Sequence, residues 1–260
     1  MRVTVCELPH ERDALAASWA ALCQHTVRNS SELVLLPEFA MIEPVWQSEL
    51  FDAARWDAAE AWSDAWLQRL DELGVEFVVG TRPVTEGGRR FNEGYLWSVD
   101  EGLAPLRRKF FLPTEPGNWE SRWFDRGDAS FPEFTAGPLS FGLNICTELW
   151  ALETYACYAG GSVQAVMSPR ATAAATTSKW LSAGVVAAVR SGAFSVSSNR
   201  VDPSGACGGV GWIISPDGKI MASTNAQAPF ATVDLDLTAA SMARNTYPRY
   251  ILSDKRRQRQ

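Results

Sequence analysis

Gly142-Leu143-Asn144-Ile145-Cys146-Thr147-Glu148-Leu149-Trp150 holds an apolar run that ends at a cysteine and passes into a helix-like stretch. Leu139 to Cys146 reads as a strand, and Trp150 to Ala159 as a helix closed by Gly160-Gly161. Cys146 therefore falls on a strand-to-helix turn, where a side chain is presented at a sheet end. Histidine is not at hand to activate it. His10 and His25 are the only two in the chain and both lie near the amino terminus, so a Cys-His pair has to recruit a distant residue. Two other charged residues hold corresponding places: Glu38 in the strand-like run Leu33 to Phe39, and Lys109 at the end of Leu106-Arg107-Arg108-Lys109. A glutamate, a lysine and a cysteine at three strand ends supply a base, a cation and a nucleophile.

Outward from that turn, strands and helices alternate. Val3 to Leu8 is strand-like, and Glu11 to Val27 carries Leu15, Trp19, Leu22 and Val27 at helical spacing. Leu33 to Phe39 is the second strand, and Ala53 to Leu73 a Trp- and Ala-rich amphipathic helix. Glu76 to Pro83 and Phe91 to Val99 read as strands joined by a turn at Glu86-Gly87-Gly88, with Leu103 to Phe111 another. Further on, Val163 to Ser168, Phe194 to Asn199, Val210 to Ile214, Ile220 to Ser223 and Ala231 to Leu235 are strands, and Ser178 to Ser191 is a helix. No Pro- or Ser-rich linker divides the 260 residues. One α/β domain over 1–260 is the economical reading, with 252–260 a basic tail holding Lys255, Arg256, Arg257 and Arg259.

Composition narrows the partners. Hydrophobic residues at 46% and charged residues at 21% suit a globular protein. A net charge of −6 argues against a nucleic-acid partner, and the lack of a run of about 18 apolar residues predicts no membrane span. Met1-Arg2-Val3-Thr4-Val5 enters a strand pattern without an apolar signal region, so the cytoplasm is the expected location. Cys6, Cys23, Cys146, Cys157 and Cys207 are odd in number and show neither zinc-knuckle nor Cys-x-x-Cys spacing. They read as reduced thiols, and no structural metal is expected.

Six stretches, in order over about 180 residues, together resemble the signatures of the nitrilase superfamily of carbon-nitrogen hydrolases. Leu35 to Phe39 is similar to its glutamate motif, Arg108 to Glu120 to its lysine motif, and Gly142 to Glu148 to its cysteine motif. Ala165-Val166-Met167-Ser168-Pro169, Ser198-Asn199-Arg200, and Gly208-Gly209 leading to Ser215-Pro216-Asp217-Gly218 follow. The resemblance implies a four-layer α-β-β-α sandwich, pairing into a homodimer or a larger homo-oligomer, and hydrolysis of a small amide, ureido or nitrile substrate without metal or organic cofactor. In that chemistry Cys146 attacks, Glu38 is the base, Lys109 stabilises the oxyanion and the Thr147 N–H is a second oxyanion donor. Glu120, eleven residues after Lys109, matches a supporting glutamate and is preferred to its neighbour Glu115. Taken singly, these residues read differently: a lone cysteine as a small buried hydrophobe, a lone lysine or glutamate as a solvated charge. Glu148 reads equally as a helix N-terminal charge or a support for the pocket.

The substrate is less legible. Phe39, Trp119, Trp150 and Trp180 are candidate aromatic walls of the acyl pocket, with core packing the alternative in a chain of 11 tryptophans. Arg170 follows Ser168-Pro169, at a loop that some carbamoyl hydrolases of the family use to hold a substrate carboxylate; the alternative is a surface arginine. Thr147 and Glu148 replace the aromatic residue and aspartate of many amidases and carbamoylases, and Asp202 replaces a glycine common after the Asn-Arg pair. The chain ends soon after Tyr247-Pro248-Arg249-Tyr250, without the extension usual in nitrile-specific members, which favours amide or ureido over nitrile hydrolysis. Acyl transfer to an amine acceptor and a binding protein that has lost activity are the competing readings.

Overall fold

Strand residues that are buried on both faces dictate the layering. The computed structural model describes residues 1–252; Lys255, Arg256, Arg257 and Arg259 lie outside them. In chain order the first elements are β1 (Arg2–Leu8), α1 (Arg12–Asn29), β2 (Leu33–Leu35), α2 (Ala53–Leu67), β3 (Phe77–Glu86), β4 (Arg89–Ser98), β5 (Gly102–Arg108) and α3 (Glu120–Trp123). The chain continues through β6 (Glu133–Ala136), β7 (Leu139–Leu143), α4 (Leu152–Gly160), β8 (Ala165–Arg170), α5 (Thr177–Ser191) and β9 (Phe194–Arg200). It closes with β10 (Trp212–Ile214), β11 (Ile220–Ser223), β12 (Phe230–Asp234) and α6 (Leu237–Ala243).

One sheet runs β5-β4-β3-β2-β1-β12 and the other β6-β7-β8-β9-β10-β11; a short parallel pairing of Glu7 with Asn199 and Leu8 with Arg200 joins them. Alternation along the strands sorts the side chains into separate cores. Val3, Val5, Leu33 and Leu35 meet Phe141, Leu143, Met167 and Val196 between the sheets. The opposite faces, Cys6, Leu8, Val34 and Val78, pack on Leu15, Trp19 and Leu22 of α1 and Trp66 of α2. On the far side Val166, Trp212 and Ile214 pack on Tyr155 and Tyr158 of α4 and on Ala183 and Ala187 of α5. Three apolar layers between four layers of backbone make the expected α-β-β-α sandwich. Small residues let α5 approach closely: a Cβ at Gly184 would stand 2.7 Å from the Trp212 ring, so enlarging that position would push the helix off its sheet.

Three strands stop well short of the runs read from sequence: β5 ends at Arg108 rather than Phe111, and two others stop ahead of a left-handed residue. β2 ends at Leu35 rather than Phe39, and β7 at Leu143 rather than Cys146. In each, a non-glycine residue of the run turns into left-handed backbone, Phe39 with φ 48° and Cys146 with φ 49°, a conformation that cannot continue a strand. The helical run Ala53 to Leu73 divides into α2 and a separate 3₁₀ turn at Leu70–Leu73. The edge strand β6 and the short helices α3 and α6 were not foreseen; an Asp236 cap bonding the Thr238 N–H at 3.0 Å is the local signal for α6.

Strand direction then decides what gathers at one edge. β2, β3, β7, β8 and β9 run parallel to β1, directly or through a neighbour. β5 is antiparallel to β4, which is antiparallel to β3, so β5 shares that direction. The residues just past the carboxyl ends of β2, β5 and β7, among them Glu38, Lys109 and Cys146, come to the same edge. Among the described residues no helix is long and apolar enough to cross a membrane.

Candidate active site

Lys109 leaves β5 fully buried and points between two carboxylates. Its ammonium donates to Glu38 Oε1 at 2.8 Å and to Glu120 Oε1 and Oε2 at 2.8 and 2.7 Å. Asn92, opposite on β4, donates its Nδ2 to the same Glu38 oxygen at 2.8 Å, while its backbone carbonyl accepts the Lys109 N–H at 2.8 Å. The Glu38 N–H is held by the Arg170 carbonyl at 3.2 Å. Glu38 and Glu120 are also buried, so the surface-charge reading of Glu38 and Lys109 does not apply. A lysine or a carboxylate at that depth is held charged by an opposite charge beside it.

The electrostatics follow from these contacts. Burial pulls the Lys109 ammonium down, but Glu120 and Glu38 outweigh it and hold the group above the usual lysine range. Burial pushes the Glu120 carboxyl up to about 7 against the pull of Lys109. The Cys146 thiol is raised well above the ordinary cysteine value, first by burial and then by the Glu38 charge, with Lys109 opposing. The resting sulfur is therefore a thiol, and a nucleophile forms only if its proton is taken.

Cys146 opens a 3₁₀ turn, Cys146–Trp150, and is 5% exposed. Its left-handed backbone is a strained conformation for a side chain with a Cβ, of the kind that persists only where surrounding structure fixes it. Here Asn144 anchors the turn, donating its side chain to the Glu148 carbonyl at 2.8 Å and its N–H to the Met167 carbonyl at 2.9 Å. The first N–H groups of such a turn lack intrahelical acceptors, and Thr147 is the second residue of this one.

Thr147, Trp150 and Trp180 line a cleft of 490 Å³ together with Phe111, Pro113 and Arg126, and the two tryptophan rings lie 5.5 Å apart. Glu38, Lys109 and Cys146 line neither this cleft nor the larger ones of 710 and 850 Å³ elsewhere, but of the three only this one reaches Thr147, the residue after the cysteine. Phe39 offers no wall to a pocket: it is 1% exposed, in the core, with Trp46 and Phe124 at 5.0 and 5.1 Å. Trp119 is half-buried and does not line the cleft. Arg170 is not a surface residue. It is fully buried, its guanidinium donating to Ser197 Oγ, Thr172 Oγ1 and the Val210 carbonyl at 2.7, 2.8 and 2.5 Å above the Trp212 ring. Those contacts commit it to the protein rather than to a substrate carboxylate.

Asn92, Arg107 and Arg126 escaped the sequence reading. Asn92 left one trace, a polar residue inside a strand. Among the described residues no group of three histidine, cysteine, aspartate or glutamate side chains is arranged to hold a metal ion.

The carbon-nitrogen hydrolase family model matches residues 2–245. No curated protein matches the chain. Among solved structures, a carbon-nitrogen hydrolase from Helicobacter pylori is similar at 19% identity with a TM-score of 0.84, covering 96% of this chain and 94% of that one. A CN-hydrolase superfamily protein from Xanthomonas campestris with an arsenic adduct in its active site gives 17%, 0.77, 98% and 96%. A glutamate-to-glutamine mutant of the amidase from Nesterenkonia sp. AN1, with the acetamide moiety of fluoroacetamide added covalently at its active-site cysteine, gives 20%, 0.76, 98% and 96%. At these identities the likeness is one of fold.

Proposed function

The chain belongs to the carbon-nitrogen hydrolase family, and from that premise we propose that it hydrolyses a non-peptide C–N bond of a small amide or N-carbamoyl compound through a thioester on Cys146. The observation that carries this reading is Lys109, buried between Glu38 and Glu120, with the Cys146 thiol feeling the charge of all three.

An amide carbonyl is a poor electrophile, so three things are needed: a strong nucleophile, a place for the oxyanion, and a proton for the departing amine. Glu38 takes the thiol proton as the sulfur attacks the carbonyl carbon. Both side-chain hydrogen bonds it receives fall on Oε1, which leaves Oε2 to receive that proton. Lys109 and the Thr147 N–H stabilise the oxyanion, an arrangement worth about 10²–10³-fold per donor. The tetrahedral species collapses as Glu38 returns its proton to the nitrogen, and ammonia or an amine leaves. A water deprotonated by Glu38 adds to the thioester, the C–S bond breaks, and the carboxylic acid departs as the thiol recovers its proton. Glu120 touches Lys109 and keeps the ammonium charged and aimed.

That the Nesterenkonia neighbour is named an amidase supports an amide over a nitrile, and the adduct at its active-site cysteine supports a nucleophilic cysteine. The test is product release from a panel of aliphatic amides, N-carbamoyl compounds and nitriles, comparing the native protein with Cys146→Ala and with mass spectrometry for a trapped acyl adduct. Amide or ureido turnover that vanishes with the cysteine is expected; turnover unchanged in Cys146→Ala would refute the proposal.

A further inference from the structure

Glu148 does more than neutralise an arginine. Its carboxylate is fully buried and receives four donors, two on each oxygen. Arg107 contributes one donor to each: Nη2 reaches Oε1 at 3.0 Å and Nη1 meets Oε2. The remaining two are backbone groups. The Phe110 N–H donates to Oε1 at 2.7 Å and the Ile145 N–H to Oε2 at 2.9 Å. Phe110 follows Lys109 and Ile145 precedes Cys146, so one carboxylate fastens the chain beside the lysine to the chain beside the cysteine.

The arrangement has an economy that a simple ion pair lacks. β5 and β7 lie in different sheets and do not pair; no ladder sets the distance between their ends. Arg107 is itself braced, its Nε donating to the Ser130 carbonyl at 3.1 Å and its guanidinium lying 4.2 Å from the Phe131 ring. The carboxylate therefore cannot drift with its partner. A helix N-terminal charge would need only the Ile145 bond, and a buried ion pair only the arginine. The Phe110 bond, across a separation of 38 residues, is required by neither.

We propose that Glu148 is a positioning residue, clamped by Arg107, that sets the separation of the Lys109 ammonium from the Cys146 sulfur across the two sheets. The inference rests on the hydrolase reading, because it concerns where that reaction's nucleophile and oxyanion cation stand.

Two variants test it. Glu148→Asp keeps the charge opposite Arg107 but shortens the reach by about 1.5 Å, one carbon-carbon bond, so it cannot hold both N–H groups. Arg107→Met/Glu148→Gln removes the clamp without leaving a buried charge unpaired. Each is compared with the native protein for kcat and KM on the best amide of the panel, and for the rate at which iodoacetamide alkylates Cys146. Alkylation needs no knowledge of the substrate. The expected result is a fall in kcat of roughly 100-fold, the effect of misplacing reacting groups by about 1 Å, with KM within about threefold, slower alkylation, and no recovery in the double variant. Native kcat and alkylation in folded Glu148→Asp, or kcat restored in the double variant along with its melting temperature, would overturn it. If the native protein shows no turnover that depends on Cys146, the hydrolase reading fails instead, a result the same assay distinguishes.

Discussion

Lys109 and the pair Arg170 and Arg200 are cations at the same depth with opposite surroundings. All three are fully buried. Lys109 faces two carboxylates, whereas the arginines face neutral acceptors: Arg170 hydroxyls and a carbonyl, Arg200 the carbonyls of Phe39 and Ile42 at 2.9 and 2.7 Å. Burial lowers Arg170 to about 9 and Arg200 to about 10, while the carboxylates carry Lys109 upward. Loss of solvent thus pulls every buried cation the same way, and the partners decide which way it ends. The difference also separates two kinds of work. Where a cation faces only dipoles, arginine keeps its proton because its starting value is high, and it braces loops. Where the charge is the one proposed to act on substrate, carboxylates hold it in place.

The largest effect should come from breaking the lysine side of this comparison. Lys109→Met removes the proposed oxyanion cation and leaves Glu38 and Glu120 buried without it. Turnover should fall by about 10³-fold, and stability by about 3–5 kcal/mol, as when one partner of a buried pair is lost. Steady-state kinetics and denaturant unfolding read the two; activity within tenfold of native would contradict the assignment.

Glu120→Gln keeps the cation but weakens its hold, so a loss of roughly 100-fold in kcat is expected. It also tests the titration. Because the folded carboxyl is raised from 4.5 to about 7, the native state binds more protons than the unfolded chain between those values. Its contribution therefore destabilises progressively as pH rises from about 4.5 to about 7 and is constant above. Unfolding measured across that range should show this slope in the native protein and lack it in Glu120→Gln. The same slope in both would assign the proton elsewhere.

This contrast marks what sequence could reveal. The places of Glu38, Lys109, Glu120 and Cys146 were legible because their motifs are local and ordered, and the sandwich because its strands are short apolar runs. Two of the strand ends were overextended because Phe39 and Cys146 look like strand residues, and only tertiary contacts impose their positive φ. Arg170 reads in the sequence as a holder of a substrate carboxylate or, alternatively, a surface arginine; its burial depends on Ser197 and Val210, 27 and 40 residues away. The Arg107–Glu148 pair, 41 residues apart, had no local signature, and Asn92 gained meaning only once β4 was seen to lie beside β5.

Arg170→Met tests the other side. It strips donors from Ser197, Thr172 and Val210 and removes a cation lying over Trp212, so stability should fall by about 1–3 kcal/mol. Activity should stay within about tenfold, the reverse of the lysine variant. A sharper form compares substrates: KM for an amide bearing a carboxylate should change no more than KM for a neutral amide. A selective rise for the acidic substrate would return Arg170 to the carboxylate-reading role that its hydrogen bonds oppose.

Arg200→Lys should have the smallest effect and isolates burial from partners. The Arg200 Nε has no acceptor, so lysine gives up little geometry: an ammonium can still serve the Phe39 and Ile42 carbonyls, and about 1 kcal/mol of stability is the expected loss. Its charge is another matter. The same burial that lowers arginine to about 10 acts on a group that starts about two units lower, with no carboxylate in contact to reverse it. The folded lysine then binds fewer protons than the unfolded one over the alkaline range below its usual value. By linkage the variant's stability relative to native should rise with pH from about 7 toward 10. A flat difference would show that Glu38 and the other carboxylates reach Arg200 strongly enough to offset burial, which would make it a weaker form of Lys109 rather than its opposite.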